Sequence, residues 1–229
     1  GQLRLHQGAT DIGQGANTVI SQICADALGL PIGCFVLIGP DTALTPDCGK
    51  TSASRQTFIT GKAAEQAGHA LREIILRESN MGPDASISLD GGRLRISEGD
   101  AEREIDLLQL PLNEHGYVLS AQETYDPPTS PLDENGQGIP YAVYGYGAQL
   151  AEVDVDMALG TVKVTRVTAA HDLGRVINPL LSEGQIEGGV AQGLGMALME
   201  EFIPGRTENL HDYLIPTVGD MPEIISILI

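Results

Sequence analysis

The chain has 229 residues and a formal net charge of −18, from 31 acidic residues against 13 basic ones. Its hydrophobic fraction of 42% is enough for one large domain or two small ones with a buried core, and argues against intrinsic disorder. The acidity excludes a general binder of nucleic acid or anionic membranes, because attraction to phosphate needs a positive surface. With no Trp and 4% aromatic residues, the chain is no stacking platform for single-stranded bases either. No apolar run approaches the roughly 20 residues that cross a bilayer and no signal peptide opens the sequence, so a cytoplasmic protein without membrane attachment is expected. Cys24, Cys34 and Cys48 are odd in number and form no C-x-x-C pair. That gives neither a disulfide framework nor a zinc site, and fits reduced, mostly buried thiols. What needs a reason is the count of 28 glycines.

In chain order, residues 2–7 read as a strand, and Gly13-Gln14-Gly15 precedes a helix over 16–28 whose apolar face carries Val19, Ile20, Ile23, Ala27 and Leu28. Gly29 and Pro31 end it. Residues 34–38 are a short strand, 39–50 a loop, and Thr51-Ser52-Ala53-Ser54 leads into a helix over about 56–78 with Ile59, Ala63, Ala67, Ala70, Leu71 and Ile74 on its core face. Asp90-Gly91-Gly92 marks a hairpin between 87–89 and 94–96. Residues 105–112 suggest a short helix and 117–125 a strand. The Pro/Gly-rich loop 126–140 is the best internal boundary, giving subdomains 1–125 and 141–229. A long strand over 141–156 turns at Gly160 into a second over 161–169, and a Gly-rich helix falls within 182–202. The fold class this predicts is α+β, layered sheets with packed helices. The strand-like ends, at residues 2–6 and 223–229, suggest an excerpt of a longer protein.

Three motifs bear on chemistry. Gly49-Lys50-Thr51 is no P-loop, because Leu44 stands where that motif requires Gly. Gly13-Gln14-Gly15 and Thr51-Ser52-Ala53-Ser54 each open a helix, where free N–H groups attract anions; together they resemble two halves of one anion cradle. Simple capping by Ser or Thr is the plain alternative for the second. Residues 184–195 are the densest Gly/Gln cluster, which by itself reads as close helix packing, although Gln185 and Gln192 would need partners if buried. The histidines are scattered and support no metal site. His171-Asp172 and His211-Asp212 place adjacent side chains on opposite faces of a strand, which favours structural roles.

As an ordered set, Gly8-Ala9-Thr10-Asp11-Ile12-Gly13-Gln14-Gly15, Thr51-Ser52-Ala53-Ser54 with Gly61, Tyr125-Asp126-Pro127-Pro128, the strand over 145–156, Ala170-His171-Asp172-Leu173-Gly174-Arg175-Val176-Ile177-Asn178-Pro179 and the 184–195 cluster resemble the molybdenum-cofactor-binding part of the xanthine dehydrogenase/aldehyde oxidase family. The resemblance covers nearly the whole chain. It implies a molybdopterin cofactor with molybdenum, often in the cytosine dinucleotide form, contacted by Gly13, Gln14, Gly15, Thr51, Ser52, Ala53, Ser54 and Gln185. It implies hydroxylation of an aldehyde or an electron-poor heteroaromatic carbon with water as the oxygen source, and electron transfer to iron–sulfur clusters and FAD on other domains or subunits of an oligomeric enzyme. The family's catalytic Glu, in a Gly-Val-Gly-Glu-like segment, has no match here: Glu187, Glu200 and Glu201 lie in no such segment. The chain therefore reads as the C-terminal portion of a molybdenum subunit, inactive alone. A structural or assembly module of the same fold without cofactor is the second reading.

Overall fold

The computed structural model describes residues 2–229, which divide into two compact units: one ending at Gly138, the other spanning Ile139–Ile229.

The first unit opens with β1 (Leu3–His6), α1 (Ala16–Leu28) and β2 (Phe35–Ile38), the strands parallel with Leu3 opposite Phe35 and His6 opposite Ile38. Gly29 adopts φ 81° just past α1, where its N–H reaches the Ala25 and Asp26 carbonyls; glycine takes this left-handed turn without a Cβ penalty. A single 3-10 turn, Ile32–Cys34, replaces the expected start of β2. Then α2 (Arg55–Ser79) packs along α1.

The contact face of α2 differs from the one predicted. Its buried residues are Gln56, Thr60, Gly61, Ala64, Gly68, Ile75, Leu76 and Ser79, whereas Ile59, Ala63, Ala67, Ala70, Leu71 and Ile74 are only half-buried. The reason is steric. A Cβ on Gly61 would lie 2.8 Å from Ile23 Cδ1, and one on Gly68 would lie 2.8 Å from both Ala27 Cβ and the Cys24 carbonyl oxygen. The helices approach so closely that only small residues fit between them. Because Gly61 meets Ile23 and Gly68 meets residues 24–28, they run in the same direction and start at the same end.

Beyond α2, β3 (Ser86–Asp90), β4 (Arg93–Glu98) and β5 (Ala101–Asp106) form an antiparallel sheet that shares a core with Leu28, Leu30, Ile75 and Leu76. Arg72 staples this layer, donating from Nη1 to the Leu28 carbonyl and from Nη2 to the Pro83 and Ala85 carbonyls. The helix expected over 105–112 is corrected to the end of β5 and a 3-10 turn, Leu107–Gln109. Residues 101–106 are mostly charged and carry little strand signal, yet their backbone pairs with β4, where Arg93 and Arg95 face Glu104 at 3.2 and 3.4 Å. The strand expected over 117–125 is absent from the described structure. Its side chains anchor singly instead: Tyr117 OH to His6 Nε2 at 3.0 Å, Leu119 on the core, and Tyr125 edge-on to Phe58.

The second unit pairs β6 (Tyr146–Asp156) antiparallel with β7 (Thr161–Asp172), with a bulge at Glu152/Val153. The apolar segment near the C-terminus becomes β8 (Glu223–Leu228), parallel to β7. Arg166 bridges all three strands, to Glu152 at 3.2 Å and Glu223 at 2.8 Å. The Gly-rich helix is α3 (Pro179–Leu198), started by Asn178, whose side chain accepts from the Leu181 N–H. It lays Ile186, Val190 and Leu194 on Val167, Ala169 and Ile224.

The helix contact is testable. Gly68→Val should destabilise the protein by roughly 1–3 kcal/mol in denaturant unfolding, because the clash is with backbone as well as side chain. Unchanged stability would show that α1 and α2 separate at little cost.

Candidate functional site

Two loops precede the two parallel helices, and hydrogen bonds join them. In the first loop, Gln7 is only 3% exposed; its Oε1 accepts the Ala9 N–H at 2.6 Å and its Nε2 donates to Asn17 Oδ1 at 3.1 Å. Gly8 sits where a Cβ would lie 2.0 Å from the Pro46 carbonyl oxygen, and its N–H donates to Cys48 Sγ at 3.1 Å. Gln14 folds onto its own loop: Oε1 accepts the Ile12 N–H at 2.7 Å and Nε2 donates to the Thr10 carbonyl at 3.3 Å.

Asp11 closes the start of α1. Its carboxylate accepts the N–H groups of Gly13 at 2.9 Å, Gly15 at 3.4 Å and Asn17 at 3.1 Å. These bonds, that from Asn17 foremost, hold its pKa below the ordinary carboxylate value. Gly15 occupies the N-cap position with φ 84° and has no side chain to cap with. On this side of the expected cradle the protein's own carboxylate takes the Gly13 and Gly15 donors.

The second loop is held from within α2. Arg55 Nη1 donates to the Cys48 carbonyl at 2.8 Å and the Lys50 carbonyl at 3.0 Å. Gln56, 4% exposed, donates from Nε2 to the Lys50 carbonyl and Thr51 Oγ1, both at 3.2 Å, and accepts the Thr60 hydroxyl. Thr51 then donates to the Thr10 carbonyl at 2.8 Å, which ties the loops together. Ala53 and Ser54 follow at φ 52° and 55°, left-handed conformations that cost an L-residue roughly 1–2 kcal/mol each. An N-cap serine normally sits in the extended region, from which its hydroxyl reaches back to the first turn. Ser54 does not, and makes no side-chain capping bond, so plain capping is not its role.

The predicted residues therefore fall into two groups. Gly13, Gln14, Gly15 and Thr51–Ser54 share one region of the first unit, with Thr10 as the common acceptor of Gln14 and Thr51. Gln185 lies exposed on α3 of the second unit. Gln192 is exposed too, so neither amide demands a buried partner. Close packing accounts for Gly195, where an added Cβ would meet Glu200 and Pro216, but not for Gly184, Gly188, Gly189 or Gly193, where it meets nothing within 4 Å. Sequence reasoning missed Gln7, Asp11 and Gln56. The available signals were an acidic residue just ahead of a glycine-started helix, and a lone amide in a stripe of small residues. Among the described residues no group of His, Cys, Asp or Glu could hold a metal by itself, and no helix is long and apolar enough to cross a membrane.

A family model described as the molybdopterin cofactor-binding domain matches residues 1–222. The chain is 33% identical to a xanthine dehydrogenase molybdenum-binding subunit of Escherichia coli, over 99% of its own length and 30% of that subunit. An aldehyde oxidoreductase of Desulfovibrio desulfuricans matches with a TM-score of 0.77 and 26% identity, over 100% of this chain and 23% of that structure. A quinoline 2-oxidoreductase of Pseudomonas putida matches with a TM-score of 0.75 and 26% identity, over 100% and 30%. The chain thus spans less than a third of each of these proteins.

Asp11→Ala should lower stability by about 1 kcal/mol near neutral pH, the usual worth of a capping carboxylate. The folded-state pKa is lowered, so this contribution is complete above the unfolded value near 4 and is lost as pH falls through the folded one. The wild-type minus variant difference should close in that acid window in pH-dependent unfolding. A difference that persists unchanged to the acid end would sink the capping assignment.

Proposed function

Because the chain belongs to the molybdopterin cofactor-binding domain family, we propose that it forms part of the cofactor site of a molybdenum-dependent oxidoreductase, with Gly13, Gln14, Gly15, Thr51, Ser52, Ala53, Ser54 and Gln185 facing the cofactor. The observation that carries the assignment of Thr51, Ser52, Ala53 and Ser54 is the unequal treatment of the two helix starts; Gly13, Gln14 and Gly15 are assigned as their neighbours, joined to them through the Thr10 carbonyl that Thr51 and Gln14 share. The donors ahead of α1 are taken by Asp11, whereas α2 begins without a side-chain cap, next to exposed Ser52, Ala53 and Ser54. Backbone N–H groups and small hydroxyls can hold a phosphate or a pterin edge without a lysine or arginine, which suits a chain of net charge −18. The donor set therefore fits an anionic, hydrogen-bonding organic cofactor. When bound, the group supplies the oxygen-transfer and electron-accepting chemistry. The chain's residues bind and orient it.

The relatives include a xanthine dehydrogenase subunit, an aldehyde oxidoreductase and a quinoline 2-oxidoreductase, which supports a substrate that is an aldehyde or an N-heteroaromatic compound. The proposed partners are the remainder of the molybdenum subunit, and iron–sulfur and FAD domains or subunits in a cytoplasmic oligomer. The cytosine dinucleotide is the proposed form of the cofactor. Residues 1–125 and 141–229 are proposed as two subdomains. No residue of this chain is proposed as the catalytic base: Glu200, for one, is engaged by the Tyr213 hydroxyl at 2.6 Å.

The test is the metal and pterin content of the full-length protein made in a host that synthesises molybdopterin. About one molybdenum and one pterin per chain are expected. Gln14→Ala and Ser54→Val should each weaken retention by roughly 1–3 kcal/mol. A wild-type protein carrying neither metal nor pterin would overturn the cofactor reading and favour the structural module. Full content in both variants would overturn the residue assignments alone.

A further inference from the structure

We propose that Gln56 is a positioning residue for the cofactor, an inference that rests on the proposed function above. Gln56 sits in the first turn of α2, and all four hydrogen bonds of its amide stay within the molecule. Nε2 donates to Lys50 O, Thr51 Oγ1 and, at 3.5 Å, Gly49 O, while Oε1 accepts from Thr60. None of these partners is a cofactor-facing side chain except Thr51. From Thr51 the chain of bonds continues to the Thr10 carbonyl, which also receives the Gln14 amide. The sequence Thr60, Gln56, Thr51, Thr10, Gln14 is thus one continuous relay from the interior of the helix pair to the Gly13-Gln14-Gly15 turn.

Geometry makes Gln56 the hinge of this relay. It is buried at the start of the α2 face that carries Thr60, Gly61, Ala64 and Gly68, which encloses its amide. The Lys50 carbonyl, which can only accept, fixes Nε2 toward the loop, and Oε1 is left to accept the Thr60 hydroxyl one turn on. An apolar residue of the same length would keep the packing, leave the Lys50 carbonyl to Arg55 alone and deprive the Thr51 hydroxyl of the donor that aims its own proton at Thr10. The loop would then lose its register with Thr10, and both candidate segments would lose their fixed separation.

The experiment uses the full-length protein, loaded with cofactor and stripped of it, and reads two melting temperatures. The gap between them measures cofactor binding, since a ligand bound only to the folded state raises its stability by mass action. In Gln56→Met the gap should narrow, and cofactor should be lost about tenfold faster on dialysis. Ser79→Val, at the far end of α2 where the hydroxyl bonds Ile75 and Leu76 carbonyls, is the control: it should lower both melts and leave the gap intact. If Gln56→Met does not accumulate as folded protein, Thr60→Val carries the same test with the same expected narrowing. A merely structural Gln56 would lower both melts equally, and a gap in Gln56→Met equal to that of a wild type that does carry cofactor overturns the positioning role alone. A wild type without cofactor overturns the proposed function and this inference with it.

Discussion

The site in the first unit depends on how closely α1 and α2 approach. Two helices carrying Leu and Ile at their interface stand 8–10 Å apart. Here Gly61, Ala64 and Gly68 lie against Ile23, Cys24 and Ala27, and nothing larger would fit. The contact is parallel, so the loops that feed the two helices emerge at the same end. Only that arrangement lets Thr51 reach Thr10 with a 2.8 Å hydrogen bond across 41 residues of sequence. Two loops made of small and polar residues have little apolar surface of their own to hold them, so their positions are inherited from the helix pair and from the buried amides at its end.

The same constraint explains what could and could not be read from the sequence. The helix over 16–28 was legible to the residue, because its apolar period is regular and Gly29 and Pro31 stop it. The existence of α2 was legible; its buried face was not. Reading by hydrophobicity puts Ile59, Leu71 and Ile74 inside, but close approach selects for lack of volume rather than for apolarity. β5 was missed because Ala101-Glu102-Arg103-Glu104 carries charge where a strand usually alternates, and its stability comes from pairing and cross-strand ion pairs. The strand over 223–228 was recognised, yet its parallel partner 57 residues upstream leaves no local trace.

The candidate site was legible in part for a similar reason. Gly13-Gln14-Gly15 and Thr51-Ser52-Ala53-Ser54 announce themselves as helix openings. The carboxylate that closes one of them does not, because Asp11 lies outside the helix and caps it across a turn. Electrostatically this matters more than the total charge. A net charge of −18 spread over a surface is screened within about 8 Å at physiological ionic strength. A single carboxylate hydrogen-bonded to three N–H groups settles locally whether a helix start can receive an anion.

Ala53 and Ser54 carry the last step. Two successive L-residues in the left-handed region are costly and are not an accident of a loose loop, since the segment is held on both sides. Thr51 is fixed to Thr10, Arg55 to the Cys48 and Lys50 carbonyls, and the Arg55 N–H to the Ser52 carbonyl at 3.2 Å. Strain of this kind persists only where the surroundings over-determine it, and it clusters at ligand sites. Its consequence here is specific. A serine in the ordinary extended conformation would turn its hydroxyl onto the first turn of α2 and satisfy the donors there. Held at φ 55°, Ser54 leaves them without that cap. The backbone strain and the uncapped helix start are therefore one feature, held in place by the bonds of Thr51 and Arg55 on either side of it.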